Sequence, residues 1–271
     1  MVRKYLKKGF ALITIIFMIT GLIGSRNIFA EDNITNNSSA EDNIANDISD
    51  LSTKVENADD GEIIKLSSSF QGGDVELKIP KAIEVTIDGG NQEYGAGRIK
   101  IVNSNKGTGT DFGKITIKNL KFTQDTKSAV EIRTNAKVVL DNIKIENRNS
   151  SIDGGALYIC GRGDGFSNSD IEILNSTFKG NSCNGKGYGG GAIYAPKYDG
   201  NIKISNCYFE KNKTTNRGTS FGGEGGAISF NQSGNPAVTN FNISIENSYF
   251  VENEASNSYN QLSDGGAVSL F

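Results

Sequence analysis

Residues 171–195 read IEILNSTFKGNSCNGKGYGGGAIYA, and both halves of this segment recur along the chain. The first half gives the pattern apolar-x-apolar-x-Asn-x-x-apolar, which is also found at residues 115–122, 138–145, 202–209 and 243–250. The second half contains Gly-Gly-Ala followed by an apolar residue, and it alternates with the first. Columns that repeat in a fixed order, with gaps of variable length between them, indicate a repeat protein with constant coils and variable loops.

The repeated columns assign structural roles to individual residues. The asparagine column consists of Asn119, Asn142, Asn175, Asn206 and Asn247. The aromatic column consists of Phe122, Phe178, Phe209 and Phe250, with Ile145 in the second copy. The alanine column consists of Ala129, Ala156, Ala192, Ala227 and Ala267. We expect stacked Asn amides to hydrogen-bond from coil to coil and to adopt left-handed turns, and stacked Phe rings to form interior layers.

These repeats predict an all-β fold, a right-handed single-stranded parallel β-helix over residues 62–271. Each repeat forms one coil, and successive coils pair in parallel about 4.8 Å apart. A β-sandwich is the alternative, but it would show hairpin turns and no identity between columns. The segment GGAVSLF, residues 265–271, leaves the last coil incomplete. Either the chain is a fragment of a longer surface protein, or the open end pairs with another molecule, as in end-to-end self-association into a filament.

The first 46 residues predict an export signal and a linker. Residues 1–30 have a basic start, an apolar run from Phe10 to Ile23 and a cleavage site after Ala30, which together indicate a secretory signal peptide. The alternative is an uncleaved membrane anchor, for which the apolar run is short. Residues 31–46 are polar and acidic and predict a disordered linker. We therefore expect an extracellular protein, either secreted or on the cell surface.

A short helix is predicted to cap the solenoid over residues 47–61. Its apolar face is the helically spaced set Ile44, Ile48, Leu51, Val55 and Ala58. Asp47 is placed to cap the start of this helix, and Gly61 is placed to end it.

Composition excludes several functional classes. The chain of 271 residues has no His, which excludes histidine-based catalytic triads and zinc–histidine sites. A net charge of −3 argues against a nucleic-acid-binding protein. Cys160, Cys183 and Cys207 allow at most one internal disulfide, and their pairing is left open.

The alternation of Gly-Gly-Ala with Phe-x-x-Asn over residues 150–271 resembles the repeats of the chlamydial polymorphic outer-membrane proteins. The upstream segments NADDGEIIKL and VTIDGGN, residues 57–66 and 85–91, look like the N-terminal end of pectate-lyase-like right-handed parallel β-helix proteins. The first resemblance implies a surface-exposed protein that works in adhesion and virulence. The sequence has no Leu-Pro-x-Thr-Gly wall-sorting motif, so its attachment to a membrane or cell wall is left open.

The second resemblance implies a possible Ca²⁺ site, because pectate-lyase-like enzymes bind Ca²⁺ with stacked acids on one face. Glu224 and Asp264 each precede a Gly-Gly pair and would lie about 5 Å apart in stacked coils. Two such carboxylates repel each other unless a cation lies between them. The alternative is a pair of solvated loop acids. We assign no catalytic residue and no other cofactor.

Two sets of loop residues are candidates for ligand binding. Arg162, Gly163 and Asp164 form an Arg-Gly-Asp tripeptide of the kind that some host integrins recognise. Tyr188, Phe221 and Tyr259 lie in the loops after Phe-x-x-Asn, which should leave the same corner of successive coils. Aromatic residues among Gly, Ser and Asn suit contact with a protein or a glycan, although long insertions can also be plain surface.

The sequence therefore favours a non-enzymatic, adhesin-like protein that binds a host-surface protein or a polysaccharide. The alternative is a polysaccharide lyase or glycoside hydrolase, which follows from the fold analogy alone.

Overall fold

The structure is a computed structural model that describes residues 43–104, 112–151, 154–161, 169–185, 189–216, 224–231, 241–257 and 265–270. All of these residues lie in one compact unit, residues 39–271. Their strands form three sheets, and every strand pairing among them is parallel. This arrangement fits an all-β parallel solenoid and excludes a β-sandwich of antiparallel hairpins.

Sheet A has eleven strands, and its members come from every coil. They are β1 (Ile44–Ala45), β2 (Glu62–Leu66), β4 (Glu84–Gly95), β6 (Lys114–Phe122), β8 (Lys137–Glu146), β11 (Ser169–Leu174), β12 (Thr177–Lys179), β15 (Gly200–Ser205), β16 (Tyr208–Glu210), β19 (Phe241–Glu246) and β20 (Tyr249–Val251). In the later coils the sheet divides into two arms at the asparagine column, with β11, β15 and β19 before it and β12, β16 and β20 after it.

Sheets B and C complete each coil. Sheet B has seven strands, which are β3 (Val75–Ile79), β5 (Ile99–Asn103), β7 (Val130–Arg133), β10 (Leu157–Ile159), β14 (Ile193–Tyr194), β18 (Ile228–Phe230) and β22 (Val268–Leu270). Sheet C has four strands, which are β9 (Asn149–Ser150), β13 (Ser182–Cys183), β17 (Lys213–Asn216) and β21 (Glu254–Asn257).

The repeated columns are stacked in register, as predicted. Ile171 aligns with Val138 and Ile202, and Phe178 aligns with Ile145 and Phe209. The rings of Phe178 and Phe209, and those of Phe209 and Phe250, stack nearly parallel with centroids 4.8 Å apart. The interior is therefore a set of continuous apolar columns, because each coil places the same side chain above its neighbour's.

The asparagine column adopts the predicted left-handed conformation. All five members have φ between 48° and 56°. The side-chain amide of Asn142 donates to Oδ1 of Asn119 at 2.8 Å, and that of Asn206 donates to Oδ1 of Asn175 at 3.3 Å. Asn175 instead donates to Asp141 of the coil below, at 2.7 Å. The column thus both bends each coil and links it to its neighbour.

The alanine column follows turns in which the glycines are required. At Gly191 a Cβ atom would lie 2.0 Å from the carbonyl oxygen of Gly226 in the next coil, so no other residue fits. Gly225 has φ of +58°, a left-handed conformation that Gly adopts without strain. Ala156, Ala192 and Ala227 are fully buried directly after these turns.

The N-terminal region differs from the prediction in its boundaries. Helix α1 spans Ile48–Glu56, with Asp47 accepting hydrogen bonds from the backbone N–H groups of Ser49 and Asp50. It ends at Asn57 rather than at Gly61. Leu51 and Val55 are fully buried, and α1 packs against β3.

Ile44 and Ala45 form a strand where a disordered linker is predicted to reach residue 46. Strand β1 pairs with β2, and Ala45 is fully buried in the core. The apolar face of the predicted helix therefore begins inside a strand, because a pairing partner in β2 outweighs the local helical spacing. Residues 1–42, with the predicted signal peptide and most of the linker, lie outside the described residues.

Candidate ligand-binding surface

The loops that carry most of the predicted contact residues lie outside the part of the chain that the structure describes. These residues are Arg162, Gly163, Asp164, Tyr188, Phe221, Tyr259 and Asp264. The segments on both sides of the loops are described, and they show where each loop starts and returns.

Three of the loops start and return at the same corner of successive coils. They start from sheet C, in which Ser182 aligns with Lys213 and Lys213 aligns with Glu254. They return at the Gly-Gly turns, where the N–H of Gly191 donates to the carbonyl of Gly225 at 3.2 Å. The residues that flank these loops therefore lie at equivalent positions of successive coils, as expected.

Glu224, one of the two predicted Ca²⁺ ligands, is 2% exposed. Its Oε2 accepts hydrogen bonds from Ser229 Oγ at 3.3 Å and from Asn231 Nδ2 at 3.4 Å. Within the described residues, no group of three or more acidic or Cys side chains is placed to hold a metal ion. The geometry around Glu224 is thus that of a buried carboxylate with polar neighbours on its own coil.

The Phe-x-x-Asn motif builds an interior ladder of amides. Asn212 is fully buried, and its Nδ2 donates to the carbonyl of Phe178 at 2.9 Å and to Oδ1 of Asn253 at 2.9 Å. Its Oδ1 accepts from the backbone N–H and the side-chain amide of Asn181 in the coil below, at 3.1 and 3.0 Å. The Asn of this motif is therefore structural, and it does not face a ligand.

Arg148 lies at the first coil of this ladder, and its role was not predicted from the sequence. It stands where the later copies have Asn, and its side chain is fully buried. The guanidinium donates to the carbonyls of Gly97 and Gly95 at 2.9 Å each and lies 3.3 Å from Asp125. Burial lowers the pKa of Arg148 to about 10, although Asp125 opposes the shift. The aligned column, in which Arg replaces Asn once, is the signal that could have identified this residue.

Cys160, Cys183 and Cys207 are buried, and none of them forms a disulfide. Cys207 takes the column position of Ser176 and Ser248 and is 1% exposed, which confirms its role as a small packed residue. Burial raises the pKa of its thiol to about 11.

Charged side chains on sheet B surround a groove of about 350 Å³ lined by Asp74, Val75, Glu76, Arg98, Lys100 and Lys127. Behind it, the carboxylate of Glu131 pairs with both Arg98 and Arg133. Burial alone would raise the pKa of Glu131, but the hydrogen bonds and charges of Arg133 and Arg98 outweigh it and hold the pKa below its usual value. Lys100 and Glu76 pair across neighbouring coils at 2.8 Å. These ion pairs connect consecutive coils, so they are first of all structural.

Exposed aromatic side chains lie on the second arm of sheet A. Tyr208 and Tyr249 occupy the same register position on β16 and β20, with exposed fractions of 37% and 69%. They alternate with the buried Phe209 and the partly buried Phe250, so they project from the outer face. They therefore offer two aromatic faces with polar hydroxyl groups on one outer column. This tyrosine pair is a candidate contact surface that the sequence pattern alone did not single out.

Comparison with known proteins identifies one repeat. No helix in the described residues is both long and apolar enough to cross a membrane. No curated protein matches the chain, and no solved structure matches it. Residues 175–196, which run from the Asn corner of one coil through Phe178 and Asn181 to the following Gly-Gly-Ala turn, match the model of the Chlamydia polymorphic membrane protein repeat.

Proposed function

We propose that this chain is an exported, adhesin-like protein of the cell surface that presents the outer face of its solenoid to a host-surface protein or polysaccharide. The observation that carries the proposal is the match of residues 175–196 to a repeat named after membrane proteins of Chlamydia. The matched residues are those that build one coil. The outer columns and the loops are thus the parts of each coil available for contact.

Two further features support this function. Within the described residues, the interior is filled by apolar columns and by a ladder of buried amides, which leaves the outer face as the part that a partner can contact. The outer face carries exposed tyrosines, a residue type that is enriched in contact surfaces. We also infer that the coils are right-handed, because nearly all parallel crossover connections are. A crystal structure with left-handed coils would contradict this inference.

The test measures exposure and binding separately. Protease treatment of intact producing cells should remove the chain if it is on the surface, while a cytoplasmic marker stays intact. The purified full chain should bind cultured host cells or matrix in a saturable way. A chain that resists the protease until cells are lysed, or that binds no cell and no matrix, would contradict the proposal. New ultraviolet absorbance on incubation with acidic polysaccharides and Ca²⁺ would point instead to a lyase.

A further inference from the structure

One outer column of sheet A changes in character along the solenoid. Its register runs from Lys121 to Lys144, Thr177, Tyr208 and Tyr249, one residue from each successive coil. Neighbouring coils are about 4.8 Å apart, so these side chains form a straight line parallel to the axis of the solenoid. The same register includes the exposed Glu93 before Lys121, so the line runs from an acid through a basic segment, Lys121 and Lys144, to an aromatic end.

The aromatic end is held by parallel strand pairing and by stacked rings. Phe209 and Phe250 directly follow Tyr208 and Tyr249 in the sequence. The two Phe rings stack with centroids 4.8 Å apart at an interplanar angle of 3°. Parallel pairing of β16 with β20 fixes the spacing of Tyr208 and Tyr249. Because the tyrosines are held by strands, a ligand that stacks on them orders few additional groups.

The basic segment of the line consists of two lysines that differ in their ion pairing. Lys121 pairs with Glu146 at 3.3 Å. Lys144 is exposed and has no ion-pair partner among the described residues. This exposed ammonium favours a ligand that carries negative charge at that point.

The column is narrow, and its width decides the class of ligand. The neighbouring outer positions are occupied by ion pairs, Lys179 with Glu210 at 2.8 Å and Lys211 with Glu252 at 3.5 Å. A stable protein interface buries about 800 Å² on each partner around an apolar centre, and one tyrosine per coil does not supply that. A linear chain of sugar rings does fit, since each ring has about the length of one coil and offers an apolar face to an aromatic side chain.

We propose that the column Lys144–Thr177–Tyr208–Tyr249 binds a linear, carboxylate-bearing polysaccharide that lies along the axis of the solenoid. Its sugar rings stack on Tyr208 and Tyr249, and one carboxylate pairs with Lys144. This inference rests on the proposed surface-binding function and names its ligand class and site.

The test is calorimetric titration of the full chain with a hyaluronan octasaccharide, which carries carboxylates but no sulfates, and with neutral chitohexaose. The variants Tyr208→Thr and Tyr249→Thr replace each tyrosine by threonine, the residue that occupies the same column at position 177. Each should weaken hyaluronan binding by about three- to tenfold. Lys144→Gln should weaken hyaluronan binding by about threefold at low salt while leaving chitohexaose binding unchanged.

Matched controls come from the same sheet. Ile63→Thr removes another exposed apolar side chain, and Lys203→Gln removes another exposed lysine, both outside the column. Both control variants should bind as the unchanged chain does. All variants should unfold at the same temperature as the unchanged chain, since the replaced side chains are exposed.

The outcomes separate this inference from the function on which it rests. Equal hyaluronan binding by the column variants and the unchanged chain overturns the column. Binding to host cells without any binding to hyaluronan overturns the polysaccharide and leaves the surface function in place. If the tyrosine variants then lose cell binding, the column contacts a protein instead. Failure to bind both cells and oligosaccharides overturns the proposed function as well.

Discussion

Asn212 shows how one buried side chain can join three coils. It donates to Phe178 and Asn253 and accepts from Asn181, so its amide is saturated without any water. A buried polar group is stabilising only when its partners are all present, because an unmade hydrogen bond in the interior leaves a desolvated group behind. The ladder therefore makes each Asn dependent on its neighbours.

Replacing Asn212 by Ala should destabilise the chain by about 2–4 kcal/mol, because the carbonyl of Phe178 and the amide of Asn181 lose their partner in the interior. Urea-induced unfolding followed by circular dichroism measures this change. Asn242→Ala is the control, since Asn242 is exposed and its side-chain hydrogen bond to Asn201 is 3.4 Å long. Equal stability of the two variants would show that the interior ladder contributes nothing.

The Gly-Gly turn is the element in which close approach of neighbouring coils is most demanding. The second glycine of each turn lies against the backbone of the next coil, as at Gly155, Gly191 and Gly226. A methyl group there cannot be accommodated by a side-chain rotation, because the obstructing atoms are backbone carbonyls. The strand that follows depends on this turn for its register.

Gly191→Ala should lower the free energy of unfolding by at least about 3 kcal/mol, because its Cβ would lie 2.0 Å from the Gly226 oxygen and 2.5 Å from the Lys213 nitrogen. Gly266→Ala is the matched control at the same repeat position. A Cβ atom there would lie 3.9 Å from its nearest heavy atom, so this substitution should lower the free energy of unfolding by less than about 1 kcal/mol. Thermal unfolding compares the two variants, and similar melting temperatures would contradict the steric argument.

Strands inside the repeat and helix α1, with Asp47 at its start, could be predicted from sequence, whereas strand β1 could not. In the columns that contain Asn175, Phe178 and Ala192, each residue contacts the residue at the same position in the next coil. The repeat in the sequence therefore predicts both the strands and the way they stack. Strand β1 has no such signal, because its partner in β2 is specified only by tertiary structure.

The candidate surface was harder to predict for a related reason. The tyrosine column emerges only when register shows that Tyr208 and Tyr249 share one line with Lys144. The loop residues proposed from sequence have their flanks in the expected place, at one corner. Sequence thus indicated where loops leave the solenoid, whereas the contact line needed three-dimensional stacking.

The solenoid as a whole should unfold unevenly. A coil contacts mainly its nearest neighbours, so stability is largely local along the axis. Ile202 and Ile204 on β15 are at most 1% exposed, whereas Ile243 and Ile245 on β19 are only partly buried. The capping helix α1 buries Leu51 and Val55 at the other end.

Amide hydrogen exchange should therefore be at least about tenfold faster in β19 and β20 than in β11 and β15. Leu51→Ala should speed exchange in β3, on which α1 packs, and leave β19 unchanged. Mass spectrometry of peptides from each coil measures both effects. Uniform exchange along the axis, or a response of β19 to Leu51→Ala, would indicate that the solenoid unfolds as one cooperative unit.

The amide ladder begins at Arg148 and continues through equivalent hydrogen bonds in each later coil. Each Asn accepts a hydrogen bond from the previous coil and donates one to the Asn of the next coil. Inserting or deleting a whole coil in this region leaves every donor matched with an acceptor. Unequal recombination between repeats can thus lengthen or shorten the molecule without any compensating change in its interior. The number of coils, and with it the reach of the protein, is a quantity that evolution can adjust in single steps.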